Sequence, residues 1–391
     1  MLKGKKILLG VTGGIAIYKV LDLISKLKKL EAQVDIIMTE SATKMIAPIT
    51  FQTMARSKVH TKLFESSDNY NVEHISLAQS CDIVLIAPAT ANIIAKIANG
   101  IADDLLSTTL LATKKPIILA HAMNSNMLDN PATKRNIDIL LQRGHYFIET
   151  GTGFLACNHY GNGRMAEPND IIDYLDCFLT KKDLDGKNII ITAGPTIERI
   201  DPVRYISNDS SGKMGYSIAK MARNRGANVI LISGPTYLSQ INGIETIHIE
   251  TADELFEAID DNFEDADCLI MAAAPADFKV KNRKDKKIKK TEIPELELVE
   301  NKDILSYFGN IKGSKKIIGF AAETDNLKKN AKEKLHKKNL DYIIANDISK
   351  PGAGFNVDTN IASIISDSYT EDLPIMSKFD LADKILDLLK Y

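Results

Sequence analysis

Residues 181–215, KKDLDGKNIIITAGPTIERIDPVRYISNDSSGKMG, stand where one α/β pattern ends and a second one begins. The chain has 391 residues, which is more than one hydrophobic core usually supports and suggests two or three domains. The polar segment 181–186 precedes the apolar run that opens the second pattern. We therefore expect two domains, residues 1–180 and 187–391, joined by a linker at 181–186.

The composition is that of an ordinary globular protein. Hydrophobic residues make up 45%, charged residues 26%, and the net charge is −2, so nothing indicates a general affinity for nucleic acid. The apolar run within the N-terminal sequence MLKGKKILLGV is about five residues long, too short for a signal peptide or a membrane span. We predict a cytoplasmic protein with neither a nucleic-acid partner nor a membrane partner.

The four cysteines are Cys81, Cys157, Cys177 and Cys268, and no two of them form a CxxC pair. This spacing indicates neither a disulfide framework nor a zinc site. Cys81, Cys177 and Cys268 have apolar neighbours and are interpreted as small core residues. Cys157 differs, because it lies in a glycine-rich stretch.

The first half alternates short apolar runs with helical periodicity. Residues 5–11 lead into a TGG turn at 12–14, after which apolar side chains recur at helical spacing. Further strands are expected at 34–38, 82–87 and 116–120. Strands that are nearly continuous in Ile, Val and Leu, separated by helices, predict a parallel sheet with helices on both faces.

Ligands of such sheets bind at the carboxyl ends of the strands. The glycines at 12–14 would let the backbone approach a phosphate at a helix start, although packing alone could also require them, and the turn is not a GxGxxG motif. PATAN at 88–92 and HAMNSNM at 121–127 follow two other strands. The glycine-rich segment 151–167, GTGFLACNHYGNGRMAE, is typical of a mobile flap.

The second half restarts the pattern with a strand at 188–192. A periodic helix follows only after about twenty residues, and a connection of that length is usually functional or disordered. It contains Asp201, Arg204, Asn208 and Lys213, which suit the recognition of anions and amides. A strand at 228–232, a helix at 252–263 and a strand at 268–272 complete a second α/β pattern, without a residue-level repeat of the first.

Two neighbouring features could serve a nucleotide. MAAAPAD at 271–277 follows a strand, and its small residues leave room for a ligand, while Asp277 offers a carboxylate to a base or ribose. The segment 279–290, KVKNRKDKKIKK, has eight basic residues in twelve. It could be a solvated charge run, a nucleic-acid tail or a lid over a triphosphate. The tail is disfavoured because the run has no aromatic residue for stacking.

Several motifs of the first half resemble the flavin-dependent phosphopantothenoylcysteine decarboxylases. They are GGIAIYK, EHISLA, PATAN, AMNSNM and ACNHYGNGRMAEP, and the resemblance covers residues 1–180. It implies a catalytic histidine at His74, a substrate-binding asparagine at Asn124 and a proton donor at Cys157. It also implies that FMN is bound by Gly13, Gly14, Ile15, Thr39, Thr90, Ala91 and Asn92.

The implied chemistry suits these residue types. Direct decarboxylation of an N-acylcysteine would leave a carbanion without an electron sink. Prior oxidation of the thiol to a thioaldehyde, with the flavin accepting a hydride, places a C=S group beside the breaking bond. The later reduction needs a proton, which a thiol such as Cys157 on a closing loop can donate.

The second half resembles the phosphopantothenate–cysteine ligase domain, in the bacterial form fused behind the decarboxylase. The motifs are AGPT, DPVRYISNDSSGKMG, PADF, KIKK, ENKDIL, GFAAET, KKNLD and ANDI, over residues 186–391. The resemblance implies that Asn208 acts on an acyl-cytidylate and that Lys287 is the first lysine of a KxKK motif. CTP would contact Met271, Ala272, Ala273, Asp277, Lys287, Asp303, Ile304, Leu305, Ser306, Phe320, Lys334 and Lys338. Mg²⁺ is expected with the triphosphate, but no residue is assigned as its ligand.

We therefore predict a bifunctional α/β enzyme of coenzyme A biosynthesis. Its N-terminal sheet would be a flavodoxin-like or Rossmann-like flavoprotein and its C-terminal sheet a Rossmann-like ligase, both mostly parallel. The ligase would join phosphopantothenate to cysteine with CTP, and the decarboxylase would convert phosphopantothenoylcysteine to phosphopantetheine with FMN. The resemblance implies a homo-oligomer with trimeric decarboxylase sites and dimeric ligase sites.

Two alternatives belong to other classes of protein. A tandem nicotinamide-dependent enzyme is disfavoured because neither half has a GxGxxG turn. A flavoprotein that regulates a partner without turnover is also disfavoured, because a binding protein has no need for His74, Asn124 and Cys157 together.

Overall fold

The computed structural model describes residues 2–64, 72–148, 163–289, 295–323, 327–347, 354 and 356–390, without the side chains of 322, 323 and 347, and the backbone of 153–154 and 160–161. The chain divides into two compact units, unit 1 at Met1–Leu179 and unit 2 at Thr180–Tyr391. No helix within the described ranges is long and apolar enough to cross a membrane. The cytoplasmic location stays a prediction from the sequence.

Unit 1 alternates strands and helices along the chain. Its strands are β1 (Lys6–Val11), β2 (Gln33–Met38), β3 (Val59–His60), β4 (Ile83–Ala89), β5 (Ile117–His121), β6 (Tyr146–Phe147), β7 (Gly153–Phe154) and β8 (Tyr160–Gly161). Its helices are α1 (Ile17–Lys29), α2 (Glu40–Thr43), α3 (Pro48–Ala55), α4 (Glu73–Ser80), α5 (Ala91–Asn99), α6 (Leu105–Ala112), α7 (Ser125–Asp129), α8 (Pro131–Gln142) and α9 (Pro168–Leu179).

The main sheet of unit 1 is parallel, with the strand order β3-β2-β1-β4-β5-β6. This order is that of the Rossmann fold, whereas flavodoxin-like sheets have the order 2-1-3-4-5, so the structure decides between the two predicted forms. Apolar residues of α1, α3 and α9 cover one face and those of α4, α5, α6 and α8 cover the other. Every residue of β4 is buried, which explains its nearly continuous apolar sequence.

Unit 2 has more strands, several of them short. They are β9 (Asn188–Ala193), β10 (Ile197–Arg199), β11 (Tyr205–Ser207), β12 (Asn228–Ser233), β13 (Glu245–His248), β14 (Cys268–Met271), β15 (Phe278–Val280), β16 (Leu298–Glu300), β17 (Lys316–Glu323), β18 (Tyr342–Asp347), β19 (Thr359–Asn360), β20 (Ala362–Ile365), β21 (Thr370–Asp372) and β22 (Met376–Ser377). The helices are α10 (Lys213–Asn224), α11 (Ala252–Phe263), α12 (Ile304–Ile311), α13 (Leu327–Lys337) and α14 (Lys378–Asp387).

The main sheet of unit 2 has the strand order β13-β12-β9-β14-β17-β18-β20-β21. The strands from β13 to β18 in this order are parallel and repeat the order found in unit 1, whereas β20 and β21 are antiparallel at one edge. Helices α10 and α14 cover one face, and α11, α12 and α13 cover the other. The prediction of two mostly parallel, doubly covered sheets is confirmed.

The cysteines differ in their burial. Cys81 and Cys268 are buried, as predicted for core residues, and burial raises the pKa of both thiols. Cys177 is only half-buried, so the prediction of a core residue is not met there: Ile171 and Leu175 form the apolar face that α9 buries, and a residue two positions after Leu175 lies on another side of the helix. Cys157 lies outside the described residues.

The predicted linker 181–186 is packed into unit 2. Leu184 is 1% exposed and belongs to the core beside α10 and α14. Its backbone N–H donates to the carbonyl oxygen of Arg225 at 2.9 Å. The segment is polar in sequence except for Leu184. One isolated apolar residue shows neither helix nor strand periodicity, so its burial could not be predicted.

A buried arginine joins three segments of unit 2 that are distant in sequence. Arg225 is 2% exposed, and its guanidinium lies 2.8 Å from Asp183, 3.0 Å from Asp383 and 3.0 Å from Asp387. These bonds connect the segment before β9 with the end of α10 and with α14. Removing one member of a buried ion pair is costly because the remaining charges lose their partner.

We expect Arg225→Met to lower the free energy of unfolding of unit 2 by about 3 to 5 kcal/mol, since the three carboxylates would lose the buried cation that they share and only Asp183 and Asp387 would keep a partner, the more exposed Lys390. Chemical denaturation followed by circular dichroism measures this change. Lys187→Met is the matched control, because Lys187 forms only an exposed ion pair with Asp267 at 3.6 Å. Its loss should change stability by about 1 kcal/mol or less. Equal effects of the two substitutions would contradict a structural role for the Arg225 network.

Candidate functional site

Unit 1 contains a cavity of about 870 Å³ at the carboxyl ends of β1, β2, β4 and β5. Strands β1 and β4 are the neighbours at which the strand order reverses, and this is where doubly wound sheets bind ligands. Segments 12–19, 39–41 and 90–96 contribute most of the lining. We call this cavity site 1.

All the residues that the resemblance assigns to FMN line site 1. They are Gly13, Gly14, Ile15, Thr39, Thr90, Ala91 and Asn92. The structure therefore brings together three segments that are separated by up to about 80 positions in the sequence, because the strands before them are neighbours in the sheet.

The turn before α1 provides a place for a phosphate. Within the described part of the chain, the backbone N–H groups of Gly13 and Ile15 donate to no acceptor, and both residues line site 1. The first turn of α1 has no acidic residue. Free N–H groups and the helix dipole both favour an anion at this end of a helix. A Cβ atom at Gly13 would lie 2.5 Å from Cβ of Ser41, so the turn fits only a glycine.

Hydrogen bonds hold the PATAN turn against the glycine turn. The Thr12 hydroxyl donates to the carbonyl oxygen of Pro88 at 2.6 Å, and the Thr90 N–H donates to the Thr12 hydroxyl at 3.3 Å. Thr90 also caps α5, and Thr39 caps α2 by accepting from the Ala42 N–H at 3.3 Å. These bonds give site 1 walls of fixed backbone, which suits a large planar cofactor with a phosphate tail. The residues present therefore fit FMN.

Asn124 lies at the edge of site 1 formed by the segment after β5. Its side-chain oxygen accepts from the Asn126 N–H at 2.8 Å and caps α7. The Gly163 carbonyl oxygen accepts from the Met123 N–H at 2.9 Å, and Gly163 has a φ of +126°. A Cβ atom at Gly163 would lie 2.3 Å from the Met123 carbonyl oxygen, so the end of the glycine-rich segment can approach Asn124 only as glycine.

Several charged residues that line site 1 were not predicted from the sequence. Lys19 pairs with Glu167 at 2.7 Å, and Lys96 pairs with Asp103 at 2.6 Å and Asp104 at 3.2 Å. Burial works against the charge of Lys96, but the hydrogen bonds to Asp103 and Asp104 outweigh it and raise its pKa. Arg164 also lines the cavity. Lysines and arginines occur throughout the chain, so residue type alone could not single these out.

Two predicted catalytic residues are not brought to site 1. His74 lies in the first turn of α4, is half-buried and does not line the cavity. Its neighbour Glu73 accepts from Nδ1 of His60 at 2.6 Å and from Nζ of Lys58 at 3.1 Å. Cys157 lies outside the described residues.

Unit 2 contains a cavity of about 630 Å³ at the carboxyl ends of β9, β14 and β17, which we call site 2. Strands β9 and β14 occupy the position in this sheet that β1 and β4 occupy in unit 1. Of the residues that the resemblance assigns to catalysis or to CTP, the following line site 2: Asn208, Met271, Ala272, Ala273, Asp277, Asp303, Ile304, Leu305, Phe320, Lys334 and Lys338.

Two predicted residues do not line site 2. Ser306 lies in the first turn of α12, where its N–H donates to Asp303 at 3.1 Å. Lys287 is exposed in the segment 281–289 and lies outside the lining. Lys213, which the sequence places in a connection suited to anions, lines site 2, as do Lys302 and Lys378, which were not predicted.

Hydrogen bonds shape the floor of site 2. The Asn208 amide donates to the carbonyl oxygen of Pro275 at 2.9 Å and so connects the long segment after β9 to the turn after β14. Within that turn, the Ala273 N–H donates to Thr192 at 3.1 Å and the Ala276 N–H donates to Thr196 at 2.9 Å. Asn208 is thereby held at the wall of the cavity in one orientation.

Site 2 offers both cations and an unused acceptor to a ligand. Lys338 pairs with Asp303 at 3.0 Å, and Lys213 pairs with Asp358 at 2.7 Å. Burial lowers the pKa of Lys378, and repulsion from Lys213 adds to the effect. The side-chain oxygen of Asn301 is buried without a hydrogen-bond partner among the described residues, while its amide group donates to Ala276 at 2.8 Å. Such an oxygen is stabilised by a ligand N–H.

In neither unit do the described residues form a metal site. Within the described ranges, no group of three or more His, Cys, Asp or Glu side chains could hold a metal ion. The expected Mg²⁺ therefore has no ready-made set of ligands in the described part of the protein.

Comparison with known proteins identifies both units. A family model described as "Flavoprotein" matches residues 1–180, and one described as "DNA/pantothenate metabolism flavoprotein C-terminal domain" matches residues 184–391. The "Coenzyme A biosynthesis bifunctional protein CoaBC" of Bacillus subtilis (strain 168) is 47% identical over 392 residues, covering 99% of this chain and 97% of that protein.

A second relative with the same name, from Haemophilus influenzae, is 43% identical over 390 residues, covering 99% of this chain and 97% of that protein. A solved structure, the "C-terminal Domain of Coenzyme A biosynthesis bifunctional protein CoaBC", is 39% identical and covers 54% of this chain and 97% of its own, with a TM-score of 0.47. The matches to full-length relatives confirm the predicted resemblance over the whole chain. The chain therefore belongs to the family of bifunctional coenzyme A biosynthesis proteins, and it is an enzyme that combines an FMN-binding decarboxylase with a ligase.

Proposed function

We propose that site 2 joins phosphopantothenate to cysteine with CTP and that site 1 removes carbon dioxide from the resulting phosphopantothenoylcysteine with FMN. The observation that supports this most strongly is that each unit has a large cavity at its strand-order reversal, and that most of the residues that the resemblance assigns to FMN and to CTP line these two cavities. The order of the two reactions reverses the order of the two units along the chain.

In site 1, the N–H groups at the start of α1 bind the phosphate of FMN, and the turns capped by Thr39 and Thr90 hold the rest of the cofactor. When bound there, FMN would supply two-electron redox chemistry, as the acceptor of a hydride from the carbon beside the substrate thiol and later as a hydride donor. Asn124 binds the substrate, and Cys157 donates the final proton.

His74 does not line the cavity of its own protomer. We therefore propose that the active decarboxylase is a homo-oligomer, in agreement with the trimer that the resemblance implies, in which His74 serves the cavity of a neighbouring copy. The ligase sites are proposed to be dimeric on the same resemblance.

In site 2, an oxygen of the phosphopantothenate carboxylate attacks the α-phosphorus of CTP, and pyrophosphate leaves. The cysteine amine then attacks the acyl-cytidylate, forms the amide bond and releases CMP and a proton. Lys287, Lys334 and Lys338 offset the charge that develops on the phosphates, and Asn208 orients the acyl group. Mg²⁺ remains an expectation from the resemblance, and none of these steps is assigned to it.

The order of reactions is tested by supplying CTP, cysteine and phosphopantothenate to the purified full-length protein, with and without its flavin. The flavin-depleted protein should release CMP and accumulate phosphopantothenoylcysteine, because unit 2 has its own site. The FMN-loaded protein should continue to phosphopantetheine and carbon dioxide. Product formation with ATP at the rate seen with CTP would refute the proposed nucleotide, and absence of CMP would refute the ligase assignment.

Gly13→Ala should reduce the FMN content of the purified protein at least tenfold, because the new Cβ would collide with Ser41 and displace the N–H groups that bind the phosphate. The measurement is flavin absorbance per mole of protein, with ligase activity as the check that unit 2 is intact. Gly144→Ala is the control. Its φ is +80° but no atom lies within 4 Å of an added Cβ, so it should strain the backbone and leave FMN bound. If the Gly13→Ala protein retained its full FMN content, the phosphate of FMN would not bind at the turn before α1.

Lys287→Ala should lower the rate of ligation by roughly two to three powers of ten, the usual effect of removing one group that stabilises charge in the transition state. Pyrophosphate release with saturating CTP measures the rate. Lys281→Ala is the matched control on the same segment, since Lys281 pairs with Glu297 at 2.6 Å and has no proposed catalytic role. If Lys287→Ala behaves like Lys281→Ala, the segment is a solvated charge run.

A further inference from the structure

The basic segment 281–289 is exposed along almost its whole length, yet its backbone is attached to unit 2 at defined points. The Lys284 N–H donates to the carbonyl oxygen of Ile200 at 2.9 Å, and the Ile288 N–H donates to Oδ2 of Asp201 at 3.2 Å. Arg204 completes this attachment, because its Nη1 donates to the carbonyl oxygen of Ile288 at 3.3 Å. The basic segment is therefore held by hydrogen bonds against the connection between β10 and β11.

Asp201 is the centre of this attachment. It is 0% exposed, and its two oxygens have separate tasks. Oδ1 accepts from the N–H groups of Val203 at 2.7 Å and Arg204 at 2.8 Å, which closes the turn between β10 and β11. Oδ2 accepts from Nη1 of Arg204 at 2.8 Å and from the Ile288 N–H at 3.2 Å. One oxygen shapes the turn, and the other holds the basic segment.

A buried carboxylate is costly unless it is fully hydrogen-bonded. Burial opposes ionisation of Asp201, but hydrogen bonds from the Val203, Ile288 and Arg204 N–H groups outweigh it and lower the pKa of this carboxyl. The side chain is therefore charged at neutral pH, and charged acceptors form stronger hydrogen bonds than neutral ones. If Ile288 moved away, Oδ2 would lose one of its two partners inside the protein.

The bond to Ile288 acts on the residue before it. The Ile288 N–H and the Lys287 carbonyl belong to one planar peptide unit, so holding this N–H also fixes the plane on the C-terminal side of Lys287. Among the described residues the Lys287 side chain has no bonding partner, while the peptide that follows it is held in place. A catalytic group on a fixed backbone loses less conformational freedom in each turnover than one on a free chain.

We propose that Asp201 is a positioning residue of the ligase: its buried carboxylate holds the peptide between Lys287 and Ile288 and so fixes the place from which Lys287 reaches the nucleotide. This inference depends on the catalytic role of Lys287 proposed above. Asp201 itself lies outside the lining of site 2 and acts through the lysine.

Asp201→Asn separates the two tasks of the side chain. The remaining carbonyl oxygen can still accept from Val203 and Arg204, whereas the new amide group presents hydrogen atoms to the Ile288 N–H and the Arg204 guanidinium. We expect at least a tenfold lower rate of ligation in the full-length protein, with the flavin content and the decarboxylation of supplied phosphopantothenoylcysteine unchanged. Trypsin should also cleave faster within 281–289.

A double-mutant cycle distinguishes positioning from general destabilisation. If Asp201 acts through Lys287, Asp201→Asn should cause little further loss of ligation in a Lys287→Ala background, because coupled residues are not additive. Multiplicative losses, or ligation at or above the wild-type rate in Asp201→Asn, would overturn the inference. Absence of CMP formation in the wild-type protein would instead refute the proposed ligase reaction, so the two failures can be told apart.

Glu198→Gln is the matched control. Glu198 is the other buried carboxylate of this β-hairpin, 4% exposed, and it accepts from the Ala252 N–H at 2.9 Å without contacting the basic segment. Glu198→Gln should lower the stability of the protein. Its effect on ligation should not depend on Lys287, and trypsin should not cleave 281–289 faster. Should Asp201→Asn fail to fold, Ile288→Pro removes the same hydrogen bond from the other side and leaves the Asp201 turn intact. Wild-type ligation in Ile288→Pro would overturn the inference equally.

Discussion

The strand order of a doubly wound sheet is the constraint on which both sites depend. In each unit the chain builds three parallel strands outward from a central strand and then returns to the other side of that strand. The connections on the two sides lead to opposite faces of the sheet, so a crevice opens between β1 and β4 and again between β9 and β14. Both large cavities lie at these crevices, and the glycines, caps and small residues of the chain serve to keep them open.

The two units place different connections at the same position of the sheet. In unit 1 a tight glycine turn leads directly into α1 and presents backbone N–H groups, which suit the phosphate of a tightly bound cofactor. In unit 2 the chain forms the β10–β11 hairpin before α10 and presents side chains, among them Asn208. The hairpin also supports the basic segment. One architecture thus carries two reactions because its loops differ.

Much of both sites was predictable because their residues follow strands directly. The glycine turn, PATAN and the alanine-rich turn at 271–274 line the cavities as expected. Three lysines of the lining, Lys19, Lys96 and Lys378, were not predictable, since they lie within helices or at helix starts and resemble any exposed lysine in sequence. His74 and Lys287 were predicted by resemblance, and a single protomer does not bring them into the cavities.

The amino-acid sequence by itself determined the two α/β units, the nature of their sheets and, for the seven strands that it predicted, the strand ends to within two residues. These properties depend on residues that are close in sequence, through apolar periodicity and turn chemistry, and local sequence patterns therefore predict them. Only the tertiary structure decided the Rossmann order of the first sheet, the packing of Leu184 and the ion pairs of Arg225. It alone placed Asp201 against Ile288, 87 positions away. Such contacts form between segments that are distant in sequence, and local sequence patterns do not predict them.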